Sequence, residues 1–167
     1  RRFGRPTWTV EGVEPDERAA AVARERGLTV HASTLADADI APGSVDLVIL
    51  IQTIEHVPYP TALLREIAAV LRPGGRLMVV TDNVGSPDFR ISRSRHWGGY
   101  HFPRHWNLFN PQSLSRLAQK TGFEVSEMNT IVSPSTGSTK GWPPASLRSM
   151  IFRRRWPKPI EPRVTMP

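Results

Sequence analysis

The stretch TVEGVEPDERAAAVARERG, residues 9–27, places a short apolar strand, one acidic residue and an Ala-rich helix in succession. Asp16 is a favourable N-cap and Gly27 a favourable C′ residue, so a helix is predicted over residues 17–26. Glu14 stands at the carboxyl end of the strand, where doubly wound α/β folds hold the ribose hydroxyls of a nucleotide. In such folds a glycine-rich turn lies about twenty residues upstream. Only thirteen residues precede Glu14, and they contain no such turn.

Four further apolar stretches have the length and composition of β-strands. They cover residues 28–33, 44–51, 76–82 and 123–132. The run SVDLVILI at 44–51 is almost continuously apolar, which is typical of a strand buried on both faces of a parallel sheet. Helical patterns begin at Pro60 and at Pro111, the second after the N-cap Asn110. The alternation of strands and helices predicts an α/β fold with a parallel sheet and helices on both faces.

The composition excludes several classes of protein. The chain has 167 residues, enough for one domain with a core, and it has no cysteine for disulfides or thiolate zinc sites. No apolar run is long enough to cross a bilayer, and RRFGRPTW at residues 1–8 lacks the apolar segment of a signal peptide. We therefore expect a cytoplasmic protein without a membrane partner.

The net charge of +7 is concentrated in the second half of the chain. Residues 1–89 carry nine Lys+Arg against twelve Asp+Glu, and residues 90–167 carry thirteen against three. A basic surface can bind phosphates, but a solvated tail explains the same charge.

Residues 134–167 differ in composition from the rest of the chain. They hold seven of the sixteen prolines and one acid, Glu161, and no periodic apolar pattern. We predict a basic, Pro-rich, disordered tail. The same composition fits a GC-rich gene translated out of frame, and a genuine basic linker is the alternative.

Three motifs follow one another at the spacing of strand and helix. They are VEGVEPDE at 10–17, GSVDLVILIQTIEHVPYP at 43–60 and LLREIAAVLRPGGRLMVVTDN at 63–83, followed later by HFPRHWNLFNPQSLSRLAQKTGFEV at 101–125. Together they resemble a class I S-adenosylmethionine-dependent methyltransferase of the branch that methylates small molecules. The resemblance covers roughly residues 3–132. It implies S-adenosyl-L-methionine as cofactor and a Rossmann-like sheet.

The resemblance also explains the missing glycine-rich turn. In this family the first strand and its glycine-rich loop precede a helix, and residues 1–8 resemble the end of that helix. We therefore expect residues 1–133 to be a partial methyltransferase domain that lacks the first strand and the loop. Such a fragment should bind the cofactor weakly, since the loop lets the backbone approach the ligand closely.

The resemblance implies a set of cofactor-binding residues after three strands. Glu14 would accept hydrogen bonds from the ribose hydroxyls. Ser33, Thr34 and Leu35 would border the adenine ring, and Ile51, Gln52 and Thr53 would lie beside the methionine portion and the transferred methyl. Many relatives carry an acidic residue where this chain has Ser33, and ordinary turn chemistry explains Ser-Thr equally well.

Candidate acceptor-binding residues lie in two later segments. Glu55 and His56 follow the third strand, and His56 is the candidate general base, with support of the loop as its alternative role. Trp97, Tyr100, His101 and His105 would line a lid over the acceptor, whereas Trp106 and Phe109 are expected in the core. Pro103 lies between His101 and His105, which disfavours a helix presenting both to a metal, so no metal is expected.

Two other functions remain open from the residues alone. A nicotinamide-dependent reductase also has an acid after its second strand, but its Tyr-x-x-x-Lys pair is missing because Leu63 and Arg104 follow Tyr59 and Tyr100 at that spacing. A basic nucleic-acid-binding module would need aromatics interleaved with Lys and Arg, which only FRRRWPK at 152–158 approaches. We expect a small-molecule acceptor and no nucleic-acid partner.

Overall fold

The computed structural model describes residues 8–92, 103–132 and 146–154. Within them the chain is an α/β structure with two sheets, one of two strands and one of four. The contacts divide the chain between Pro42 and Gly43 into two compact units.

The first unit pairs two short parallel strands with one helix. β1 (Glu11–Val13) lies beside β2 (Thr29–His31), and α1 (Glu17–Glu25) connects them. Asp16 caps α1, as predicted, because its Oδ1 accepts hydrogen bonds from the amides of Arg18 at 2.9 Å and Ala19 at 3.0 Å.

The second unit contains the four-stranded sheet. Its strands are β3 (Val45–Ile51), β4 (Leu71–Asp82), β5 (Phe123–Val132) and β6 (Ser146–Arg154), in the spatial order β3-β4-β6-β5. β3 and β4 are parallel, whereas β6 is antiparallel to both β4 and β5. The α/β class is confirmed, but the expectation of an entirely parallel sheet is wrong, because β6 reverses the direction on one side of β4.

β6 also differs from the disorder expected for residues 134–167. Residues Ser146–Arg154 pair with β5, and 147–153 of them also pair with β4. Phe152 is only 1% exposed and meets Phe123 edge to face, with ring centroids 6.4 Å apart. The frameshift interpretation of residues 134–167 stays a prediction. Residues 133–145 and 155–167 lie outside the described residues.

The second unit has three helices and one 3₁₀ turn among its described residues. They are the 3₁₀ turn Ile54–His56, α2 (Pro60–Val70), α3 (Pro87–Ser92) and α4 (Pro111–Lys120). Asn110 and Ser113 form a capping box at the start of α4, which confirms the predicted cap. In the part of the chain that the structure describes, no helix combines the length and apolar character needed to cross a membrane.

The core of the second unit lies on one face of its sheet. Val48 and Leu50 of β3 share a face with their ladder partners Leu77 and Val79, and the last three are buried or nearly so. On the opposite face of β3, large apolar side chains remain substantially exposed: Leu47 at 44%, Ile49 at 52% and Ile51 at 61%.

β4 begins earlier than predicted. It starts at Leu71 rather than at residue 76, because Leu71 pairs with Val45 before the chain bulges through Pro73–Gly75. A side chain at Gly75 would place its Cβ 2.8 Å from the carbonyl oxygen of Arg72, so the bulge requires glycine there.

Candidate functional site

Glu14 lies at the carboxyl end of β1, the position that the sequence predicts for it. Its amide donates to the carbonyl of His31 at 3.0 Å, which extends the parallel pairing of β1 with β2 by one residue. The half-buried side chain accepts a hydrogen bond from the amide of Asp16 at its Oε1 atom, 2.9 Å away. No described residue donates to Oε2. The carboxylate is therefore oriented by the start of α1 and keeps acceptor capacity for a ligand.

Ser33, Thr34 and Leu35 follow β2 at the neighbouring strand end, so the first unit brings them to the same edge as Glu14. Ser33 Oγ donates to the carbonyl of Thr34 at 3.0 Å, and Thr34 Oγ1 donates to Asp37 Oδ2 at 2.6 Å. Each hydroxyl uses its single hydrogen locally, so what it can offer a ligand is its oxygen as an acceptor.

Ile51, Gln52 and Thr53 lie at the carboxyl end of β3. The amide of Gln52 donates to the carbonyl of Val80 at 2.9 Å, and Thr53 Oγ1 donates to the carbonyl of Ile51 at 3.0 Å. Gln52 has a φ of +49°, and it is the one non-glycine residue with positive φ in the described part of the chain. Strained backbone of this kind is concentrated at ligand-binding and catalytic sites.

Glu55 is buried in the 3₁₀ turn that follows β3, with an exposed fraction of 1%. Its Oε2 accepts a hydrogen bond from the hydroxyl of buried Thr81 on β4, 2.8 Å away. Its Oε1 is fully buried, and no atom of the described residues donates a hydrogen bond to it. The side chain of Glu55 therefore lies inside the structure, and its predicted contact with an acceptor stays a prediction.

His56 and His105 lie together although 49 residues separate them in the sequence. Their rings meet edge to face with centroids 4.6 Å apart. His56 Nδ1 lies 3.1 Å from the carbonyl oxygen of Arg104. Because a carbonyl only accepts, Nδ1 carries the hydrogen, and Nε2 of the neutral ring keeps the lone pair that a base or a metal ligand needs.

Backbone hydrogen bonds hold these two segments together. The carbonyl of Glu55 accepts from the amides of Trp106 at 2.8 Å and Asn107 at 3.1 Å. The side chain of Asn107 donates from Nδ2 to the carbonyl of Val57 at 2.7 Å. These bonds place His105 beside the 3₁₀ turn. One ligand atom each from Glu55, His56 and His105 then lies within 4.8 Å of the other two.

This cluster is the feature that sequence reasoning missed. The sequence predicts His105 as a lid residue together with Trp97, Tyr100 and His101, and those three lie outside the described residues. Phe109 is buried at 7% exposure, as expected, whereas the expectation that Trp106 belongs to the core is wrong, because it is 69% exposed. The adjacent Glu55 and His56 are the part of the cluster that the sequence makes visible. Nothing in the spacing of the sequence identifies His105, about fifty residues later, as their partner.

Comparison with known proteins identifies methyltransferases that are similar to this chain. Residues 1–128 match the family model described as "Methyltransferase domain". The ubiquinone biosynthesis O-methyltransferase of Aeromonas salmonicida is 35% identical over 146 residues, which cover 78% of this chain and 58% of that protein. The chain spans about half the length of the curated relatives it matches, with values of 47%, 57% and 53% for three such O-methyltransferases.

Solved structures with the same fold support this relationship. An S-adenosylmethionine-dependent methyltransferase from Thermotoga maritima superimposes with a TM-score of 0.68 at 25% identity, covering 86% of this chain and 72% of the other. The 1,6-didemethyltoxoflavin-N1-methyltransferase of Burkholderia thailandensis gives a TM-score of 0.63 at 19% identity, covering 88% and 61%. Because the family model spans most of the sequence, the chain belongs to the methyltransferase domain family and has the fold of class I S-adenosylmethionine-dependent methyltransferases.

Proposed function

We propose that the protein containing this chain transfers a methyl group from S-adenosylmethionine to a small-molecule acceptor. The observation that carries the proposal is the half-buried, oriented carboxylate of Glu14 at the carboxyl end of β1, in a chain of the methyltransferase family. A carboxylate in this position suits the two ribose hydroxyls as charge-assisted acceptors. The acceptor oxygens of Ser33 and Thr34 at the next strand end are compatible with an adenine amino group, and Leu35 with the ring.

For methyl transfer, the main task of the chain is to position the methyl donor and the acceptor. The sulfonium of S-adenosylmethionine supplies an activated methyl group. The chain's own task is then to hold donor and acceptor in line, which converts binding energy into rate. Ile51, Gln52 and Thr53 are our candidates for the residues beside the methionine portion, since the carboxyl ends of parallel strands are the ligand-binding edge of such sheets.

The acceptor is proposed to be a small molecule that reaches the cluster of Glu55, His56 and His105. The relatives' printed names include an O-methyltransferase and an N1-methyltransferase, so oxygen and nitrogen acceptors both occur among similar proteins. Trp97, Tyr100 and His101 stay predicted lid residues. A cytoplasmic location is our proposal as well, and the absence of cysteine from the sequence fits a reducing compartment.

Titration of the 15N-labelled chain by NMR tests the cofactor, because chemical shifts detect even weak complexes. S-adenosylhomocysteine should shift the amide signals of Glu14 and of Ser33–Leu35, whereas NADH and a mixed oligonucleotide should not. Shifts with NADH alone would favour the reductase, and shifts with the oligonucleotide alone would favour a nucleic-acid-binding module.

A matched pair of variants sharpens this test. Glu14→Gln keeps the shape of the side chain but removes its charge, and it should weaken S-adenosylhomocysteine binding by about tenfold, the value of one charge-assisted hydrogen bond. Glu25→Gln removes an exposed charge at the end of α1 and should leave the binding unchanged. Equal binding by both variants would contradict the role of Glu14.

A further inference from the structure

We propose that Glu55, His56 and His105 form a binding site for a first-row divalent transition metal such as Zn²⁺. One ligand atom from each side chain lies within 4.8 Å of the other two. Two ligand atoms of one tetrahedral zinc ion lie about 3.4 Å apart, so side-chain movements of up to roughly 1.5 Å are needed to complete the site. This trio differs from the pair His101 and His105, which the position of Pro103 argues against.

The buried carboxylate is the first independent sign of a cation. Glu55 is 1% exposed, and its Oε1 receives no hydrogen bond from the described residues. Burying an ionised carboxylate is costly unless it is paired or coordinates a metal. The ion pairs found among the described residues join Arg24 to Glu17, His31 to Glu11 and Arg72 to Asp46, so none of them neutralises Glu55.

The outer contacts of the cluster are the second sign. A metal-binding histidine usually donates its other ring N–H to a carbonyl or carboxylate, and a metal-binding carboxylate is itself hydrogen-bonded. His56 Nδ1–H donates to the carbonyl of Arg104 and leaves Nε2 for a ligand bond. Thr81 Oγ1–H donates to Oε2 of Glu55 and leaves Oε1. The structure contains both arrangements.

The donor set selects the class of metal. Two imidazole nitrogens and one carboxylate oxygen suit Zn²⁺ and the neighbouring transition metals, whereas Mg²⁺ and Ca²⁺ prefer oxygen ligands throughout. Three protein ligands also leave a coordination position open, which is typical of reactive rather than purely structural sites.

A bound ion changes the role of His56. The Nε2 lone pair that would make it a general base would then serve as a metal ligand, and the ion would supply the acidity that helps an acceptor hydroxyl to lose its proton. This consequence for the acceptor rests on the proposed methyl transfer. The binding of the metal ion is independent of that proposal.

Calorimetric titration of the untagged, metal-stripped chain with Zn²⁺ tests the site directly. We expect one equivalent to bind, and Co²⁺ to give visible absorption bands that Zn²⁺ abolishes by displacement. His56→Ala and His105→Ala should each weaken binding by at least about tenfold, and Thr81→Val, which removes an outer contact, by about tenfold. His56 is exposed, so we expect its substitution to leave the fold intact, and circular dichroism checks this for each variant.

His31→Ala is the matched control, because His31 Nε2 also lies close to a carboxylate, 2.8 Å from Oε2 of Glu11, but in the first unit. The His31→Ala variant should bind Zn²⁺ as tightly as the wild type does. No binding by the wild type, or equal binding by the His56, His105 and His31 variants, would overturn the proposal. S-adenosylhomocysteine is absent from this experiment and Zn²⁺ from the NMR titration, so either proposal can fail without the other.

Discussion

The two compact units differ in how they are stabilised. Of the fifteen buried apolar side chains among the described residues, Ala20 alone belongs to the first unit. Four large apolar side chains of that unit are exposed, Trp8, Val10, Val22 and Leu28. The second unit holds the other fourteen buried side chains, including Phe123 and Phe152 at 1% exposure or less. Within the described residues, local contacts thus hold the first unit, and packing between distant elements holds the second.

Phe152→Ala tests the packed unit and should have the largest effect. Its ring is buried against Phe123, so truncation leaves a cavity between β6 and β5. We expect the free energy of unfolding in urea to fall by about 3–5 kcal/mol. Arg153→Ala, at an exposed neighbouring position of β6, should change it by no more than about 0.5 kcal/mol. Equal, small effects of both variants would mean that β6 does not belong to this core.

Asp16→Ala tests the locally stabilised unit. The side chain caps α1 through the amides of Arg18 and Ala19, and its removal leaves these donors to water. We expect a loss of about 1 kcal/mol, seen as faster amide exchange in α1 with exchange in β4 unchanged. Slower exchange or a uniform change across both sheets would contradict the view that each unit is held by its own kind of contact.

Gln52→Gly should have the smallest effect on stability, and its sign is informative. Glycine adopts the observed φ of +49° without strain, but it also has more freedom in the unfolded chain. Relief of the backbone strain stabilises the folded protein, whereas the added freedom stabilises the unfolded chain. The two effects oppose each other, so the free energy of unfolding should change by less than about 1 kcal/mol. A larger loss, measured by urea unfolding, would show that the side chain of Gln52 packs into the structure instead of serving a ligand.

Much of the fold could be predicted because its signals are local. The cap at Asp16, the capping box at Asn110, the start of α2 at Pro60 and the bounds of β5 follow from residues within one turn or one strand of each other. The family also follows from motifs that are short and contiguous. The position of Glu14 at the end of its strand could also be predicted, because the strand and the helix on either side of it are local signals.

The sequence by itself therefore determined the class of the fold, most element boundaries and the family, since each depends on neighbours along the chain. The tertiary structure alone decided the place of β6 between β4 and β5, because strand pairing at that distance depends on which sheet edge is available. It also decided the cluster of Glu55, His56 and His105. Backbone bonds from Trp106 and Asn107 to Glu55 bring these side chains together across about fifty residues, and no local pattern of hydrophobicity or spacing encodes such a bond.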